Sequence, residues 1–167
     1  MIYRFRVILD NDSEEDIFRD LEIKETDTLE DLHNIITQSF GFDGMEMASF
    51  YISDEQWNQG EEISMFDISD NQSESRTMQN TIINDVVHEA SPKLIYVYDF
   101  LNMWTFYVEL AEIVEPLNSI TYPNLMFVHG QIPDVAPEKN FKSEEFDSFE
   151  NFDVDDYDSL DFEENWN

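Results

Sequence analysis

The chain has no cysteine, which excludes disulfides, thiolate catalysis and cysteine-ligated zinc. Bases are nearly as scarce: eight Lys and Arg stand against 39 Asp and Glu, a formal charge of −31 over 167 residues. Phosphate-directed nucleic-acid binding draws its affinity from Lys and Arg that displace counterions, so this composition argues against it. It argues equally against an anionic membrane surface. No apolar run reads as a membrane span, because the richest, LIYVYDFLNMWTFYVELAEIV, carries Asp99, Glu109 and Glu112. The opening MIYRFRVILDNDSEED has too short an apolar run for a signal peptide and no small-residue cleavage site. The cytoplasm is therefore the expected location. The charge itself has two readings, a partner with a basic face or solubility alone.

What the chain does have is material for a core, since 41% of its residues are hydrophobic. A domain over residues 1–140 with an acidic, aromatic tail over 141–167 is the most economical organisation. A domain of that length buries about two-thirds of the surface its unfolded chain exposes, so it can stand alone.

Period-two alternation predicts a strand over Ile2–Leu9, with Tyr3, Phe5, Val7 and Leu9 on one face. After the acidic turn Asp10–Asp16, Ile17–Lys24 reads as its hairpin partner, with Arg19 interrupting the face of Ile17, Leu21 and Ile23. TDTLEDLHNIITQSFGFD predicts the clearest helix. Thr26 or Asp27 is placed to cap it, Glu30 and Asp31 occupy its first turn, and Gly41 ends it. Met47–Ile52 reads as a strand and Ser53–Gly60 as a loop with Trp57 folded inward. Met78, Ile82, Ile83, Val86 and Val87 mark a shorter helix. Lys93–Phe100 and Met103–Val114 form a second hairpin around Leu101 and Asn102, and Glu115–Asn140 is an irregular wrap with one short edge strand at Leu125–His129. The expected fold class is α+β: one mostly antiparallel or mixed sheet, a long and a short helix, and a β-grasp-like order β-β-α-β-α-β-β.

The succession YRFRVIL, IFRDLEI, TLEDLHNIITQSFGFD, MASFYI and KLIYVYDFLNMWTFYVELAEIV resembles the plasmid pRiA4b ORF-3-like family. The resemblance covers about residues 2–115 and continues more weakly through YPNLMFVHGQIPDVAP. The chain departs from the family pattern where Leu101-Asn102 replaces Gly-Asp, where Phe18-Arg19 replaces Trp-Arg, and where its late Cys-Pro-Pro-Glu-Asp segment is reduced to QIPDVAP. The acidic tail is similar to that of a bacterial subgroup. The resemblance implies an α+β fold and no established activity. Some members carry a transposon-passenger, resolvase-like label, but recombinase chemistry needs a Ser or Tyr nucleophile among Arg residues, and Arg is scarce here.

Four constellations are candidates for function. His33, beside the buried stripe of the main helix, is either a packed boundary residue or a general base that needs a partner within hydrogen-bond reach. His88 and His129 share no ligand spacing with it. Asp99, flanked by aromatics and followed by Asn102 and Trp104, is either a turn residue capping backbone N–H groups or an acid with a raised pKa. Arg4, Arg6 and Arg19 form either ordinary ion pairs or a small positive strip. The tail holds eleven acids, seven aromatics and one base, Lys142. Its Phe146, Phe149, Phe152, Tyr157 and Trp166 suit a disordered solubility segment, a recognition segment for a basic protein surface, or a flap on its own domain. Asp153, Asp155, Asp161 and Glu164 have calcium-loop spacing, but Asp158 stands where that loop needs glycine. No catalytic residue, metal or cofactor is assigned. The expected function is a non-enzymatic protein-interaction module, with a mobile-element accessory or DNA-processing factor, or an acidic DNA mimic, as alternatives.

Overall fold

In the computed structural model, residues 1–12, 14–66 and 76–137 are described, and Met1–Pro137 forms one compact unit. The expected boundary at 140 and the whole 141–167 segment lie outside the described residues.

The alternation in IYRFRVIL does what its period requires. In β1 (Ile2–Leu9) the side chains of Tyr3, Phe5, Val7 and Leu9 are buried on one face, while Arg4 and Arg6 stand on the other. β2 (Phe18–Lys24) returns antiparallel with Phe5 opposite Leu21 and Tyr3 opposite Ile23. β3 (Ala48–Ser53), β4 (Gln59–Ser64), β5 (Lys93–Tyr98), β6 (Trp104–Val114) and β7 (Asn124–His129) complete one sheet in the order β4-β3-β5-β6-β1-β2-β7. Every pairing between named strands is antiparallel. The class is α+β as expected; the observed order adds β4 to the β-grasp-like one, and the edge strand expected at Leu125–His129 is β7, so these two strands form the ends of the sheet.

α1 (Leu29–Phe40) lies across one face. A capping box at Thr28 starts it, one or two residues later than the sequence suggested: the Thr28 hydroxyl accepts from the Asp31 N–H, and the Asp31 carboxylate accepts from the Thr28 N–H. Gly41 ends it at φ 84°, where its N–H reaches Gln38 O and Phe42 N–H reaches Thr37 O. Leu29, Leu32, Ile36 and Phe40 join the core row Ile63–Phe50–Tyr96–Phe106–Leu9 that runs across the sheet. Phe40 packs 4.7 Å from Phe106, centroid to centroid.

Three local expectations are corrected. The helix expected around Met78–Val87 is a single turn, α2 (Ile83–Val86). Asn80 accepts from the Thr77 N–H and Thr81 from its hydroxyl back-bonds to Thr77 O, local bonds that compete with helix, yet Met78, Ile83, Val86 and Val87 are buried all the same. The expected loop at Ser53–Gly60 runs into β4, whose single buried apolar residue, Ile63, gave no alternation to read. Gly60 is required there, since a Cβ would meet Ile52 O at 2.7 Å. Trp57 does not fold into the core. It lies half-buried on the outer face of the sheet, 4.8 Å from the Tyr107 ring, with Lys93 Nζ 4.8 Å from its own centroid.

Candidate functional site

The sheet face opposite α1 is built in transverse rows fixed by register. One row is Glu62–Tyr51–Ile95–Tyr107–Ile8–Phe18–His129. Beside it run Lys93–Glu109–Arg6–Asp20–Phe127 and Glu112–Arg4–Glu22–Asn124. Charges of opposite sign thus stand opposite one another, the arrangement that stabilises a cross-strand pair.

This placement decides the arginine candidates. Arg6 is bidentate on Asp20, with Nε 2.8 Å and Nη2 2.9 Å from the two carboxylate oxygens, and lies 4.1 Å over the Phe18 ring. Arg4 bridges Glu22 at 2.9 Å and Glu112 at 2.7 Å, and those hydrogen bonds, Glu112 first, hold its pKa above the ordinary value. The shallow groove between them, about 470 Å³, is lined by Arg4, Arg6, Asp20, Glu109, Glu112 and Met126. With Glu22 beneath, four carboxylates face two guanidinium groups, so the strip is net negative, not positive.

Arg19 is not part of it. It faces α1, in the core row Leu94–Val108–Val7–Arg19–Val128, and only 5% of its surface is exposed. Its Nε donates to Ser39 O at the end of α1, and Nη1 donates to Phe18, His129 and Gly130 carbonyls. Burial lowers its pKa, and carbonyl dipoles are its compensation.

His33 is buried more deeply than a boundary residue. Its Nδ1 lies 2.6 Å from the Tyr96 hydroxyl, under the core rings, and burial lowers its pKa while raising that of Tyr96 well above the ordinary tyrosine value. Asp99 occupies a β5–β6 turn at φ 65°, where its carboxylate accepts from the Leu101 N–H and from Asn102 Nδ2, and its carbonyl from the Asn102 and Met103 N–H groups. Trp104 is buried against Phe42, 5.2 Å away. The structure therefore does not bring His33 and Asp99 together: one is inside the core and the other is in an exposed turn. Phe146, Phe149, Phe152, Tyr157 and Trp166, and the calcium-like spacing, lie outside the described residues. No group of metal-ligating side chains stands out among the described residues, and no described helix is long and apolar enough to cross a membrane.

A candidate that the sequence reading did not single out is the end of the sheet. β7 pairs with β2 only, among the described residues, and Leu125, Met126, Phe127 and Val128 are 38–51% exposed. A bulge at Met126 sets the register: Asn124, Phe127 and His129 stand opposite Glu22, Asp20 and Phe18 on the groove side, while Leu125 and Val128 stand opposite Leu21 and Arg19 on the helix side. The signal available in the sequence was charge. Residues 116–133 contain no Asp, Glu, Lys or Arg in a chain where 28% of residues are charged.

The model of the plasmid pRiA4b ORF-3-like protein family matches residues 1–158. The chain belongs to this family. The match extends beyond the motifs that suggested it, into the acidic segment. No curated protein matches. The fold is shared with the crystal structure of MM3350, a protein of unknown function from Methanosarcina mazei Go1, at TM-score 0.66 and 15% identity, over 94% of this chain and 83% of that one. This likeness concerns the fold alone.

Proposed function

We propose that this family member is a non-catalytic protein-interaction module of the cytoplasm whose contact element is the open edge of β7. The observation that carries the reading is the contrast between the two ends of one sheet. At one end β4 presents Glu61 and Glu62, charged residues of the kind that discourage edge-to-edge pairing. At the other, β7 presents four consecutive exposed apolar residues and no charge. An extended segment added there gains main-chain hydrogen bonds along the strand and apolar contacts on both faces.

The candidate chemical groups support no competing reaction. His33 is engaged with Tyr96 inside the core, and Asp99 holds a turn. The carboxylates of the outer face alternate with Arg4, Arg6 and Lys93, which does not suit a DNA mimic, where acids must run unbroken at phosphate-like spacing. The four arginines are engaged by carboxylates or carbonyls, which does not favour the DNA-processing reading.

Site-specific photo-crosslinking in living cells tests the proposal. A benzophenone side chain at Phe127 is expected to give a discrete protein adduct, while one at Leu101, the 93% exposed residue of the β5–β6 turn, gives none. No adduct from 127, or the same adducts from both positions, overturns the reading.

A further inference from the structure

Building on β7 as the contact element, we infer that its partner strand is β7 of a second copy, paired antiparallel about a two-fold axis between Met126 and Phe127.

The pattern of faces along β7 is its own complement. In sequence order, Asn124 faces the groove, Leu125 the helix side, Phe127 the groove, Val128 the helix side and His129 the groove, by their partners in β2. Met126, the bulge residue, lines the groove. The bulge thus makes the order read the same in both directions. Residues directly opposite in an antiparallel pair share a face. The proposed axis sets Asn124 opposite His129 of the second copy, Leu125 opposite Val128, and Met126 opposite Phe127, each pair on one face. The contact is isologous, the commonest symmetry of soluble oligomers, and it continues the antiparallel sheet.

Charge points to the same occupant. A basic partner steered by the −31 charge would seek carboxylates, and residues 116–133 offer none. A second copy brings an equally uncharged apolar edge, so no like charges are placed opposite each other within the strand pair. The remaining acids of the two copies still repel through solvent. That repulsion is screened by salt, the Debye length falling from about 30 Å at 0.01 M to about 3 Å at 1 M. Self-association through β7 therefore tightens as salt rises, whereas capture of a basic partner weakens.

Sedimentation of the full chain over a range of concentrations and salt tests this. The expected result is a monomer–dimer equilibrium whose Kd falls with salt and rises by at least about tenfold in the double variant Met126→Lys, Val128→Lys. The variant's far-UV circular dichroism serves as its folding control. In the unaltered chain, amide exchange along β7 is expected to slow with protein concentration, an independent readout should the variant fold poorly. A monomer at every salt and concentration overturns the inference, as does a dimer that weakens with salt or ignores the double variant while that variant remains folded. Concentration-independent protection of those β7 amides that β2 does not engage also overturns it, since the outer edge is then covered by the same chain. A monomer that still crosslinks from position 127 to a different protein refutes the second copy alone, and a monomer with no adduct refutes the interaction edge as well.

Discussion

Arg19 holds its guanidinium carbon 4.4 Å from the ring centroid of Phe40, a cation over the last aromatic of α1. The last turn of that helix carries no basic residue of its own. Arg19 supplies the positive charge from the neighbouring strand, where the helix dipole favours it, and its donors take up the Ser39 carbonyl. The same side chain reaches the His129 and Gly130 carbonyls at the end of β7. A strand, a helix end and the edge strand are thus joined through one buried fork.

Replacing that fork has a graded cost. Arg19→Met keeps an apolar stem but leaves several carbonyls without a donor, and each lost bond to a charged group is worth about 1.5–3 kcal/mol without being additive. A fall of about 2–4 kcal/mol in urea unfolding is expected. Arg19→Lys keeps the charge and loses the planar geometry, so it should fall between Met and the unaltered chain. Equal stability of all three would remove Arg19 from the account of α1 and β7.

The buried pair His33 and Tyr96 gives a pH prediction with a definite sign. Burial holds the His33 pKa below its ordinary 6.5, so the folded chain binds fewer protons there than the unfolded chain. Its contribution is complete above 6.5 and is lost as pH falls from that value through the folded one, with a slope of at most about 1.4 kcal/mol per pH unit. Acidification also relieves repulsion among the carboxylates, which acts in the opposite direction. The informative quantity is therefore the difference between the chain and His33→Gln, whose stability is expected to lose less, or gain more, on acidification below 6.5. Parallel pH curves for the two proteins would show that His33 does not titrate differently on folding.

Asp99 is expected to behave as a turn residue. Its φ of 65° and its acceptance from Leu101 N–H and Asn102 Nδ2 suit Asp or Asn, short polar side chains that tolerate the left-handed region. Asp99→Asn should be nearly neutral, whereas Asp99→Ala should cost about 1–2 kcal/mol through lost bonds and backbone strain. Thermal unfolding of both variants checks this. A large loss in Asp99→Asn would mean that the charge itself matters.

The sequence revealed the parts of this fold whose pattern is local. β1 alternates, α1 carries its stripe and its closing Gly41, and the β5–β6 hairpin is strongly apolar around Leu101 and Asn102. It did not reveal what depends on a distant partner. Arg19 looked like an interruption of an apolar face because the carbonyls that receive it come from Ser39, His129 and Gly130, which no local window contains. Arg4 and Arg6 left ion pairing and a positive strip both open, because their partners Glu112 and Asp20 become neighbours only by register, and the register decides for ion pairs. β4 was invisible because an edge strand with one buried residue has almost no hydrophobic period. β7 was legible as a short edge strand at Leu125–His129, but the exposure of four consecutive apolar residues on it was not, because that depends on which strands neighbour it.

Glu22 offers the most direct control over the edge. It is buried, 2% exposed, and its carboxylate accepts from Arg4 Nε at 2.9 Å and from Asn124 Nδ2 at 2.9 Å. It therefore joins β1, β2 and the first residue of β7. Asn124→Ala removes one neutral donor and is expected to cost about 1 kcal/mol, with faster amide exchange along β7 and little change in β5 or β6. Glu22→Ala strips both donors of their buried acceptor and should cost about 2–3 kcal/mol. Because the two side chains touch, their effects should not add, and a double-mutant cycle should return a coupling of about 0.5–3 kcal/mol. Simple additivity, with β7 exchange unchanged in Asn124→Ala, would mean that backbone pairing to β2 alone holds the edge in place, and that Glu22 serves Arg4 only.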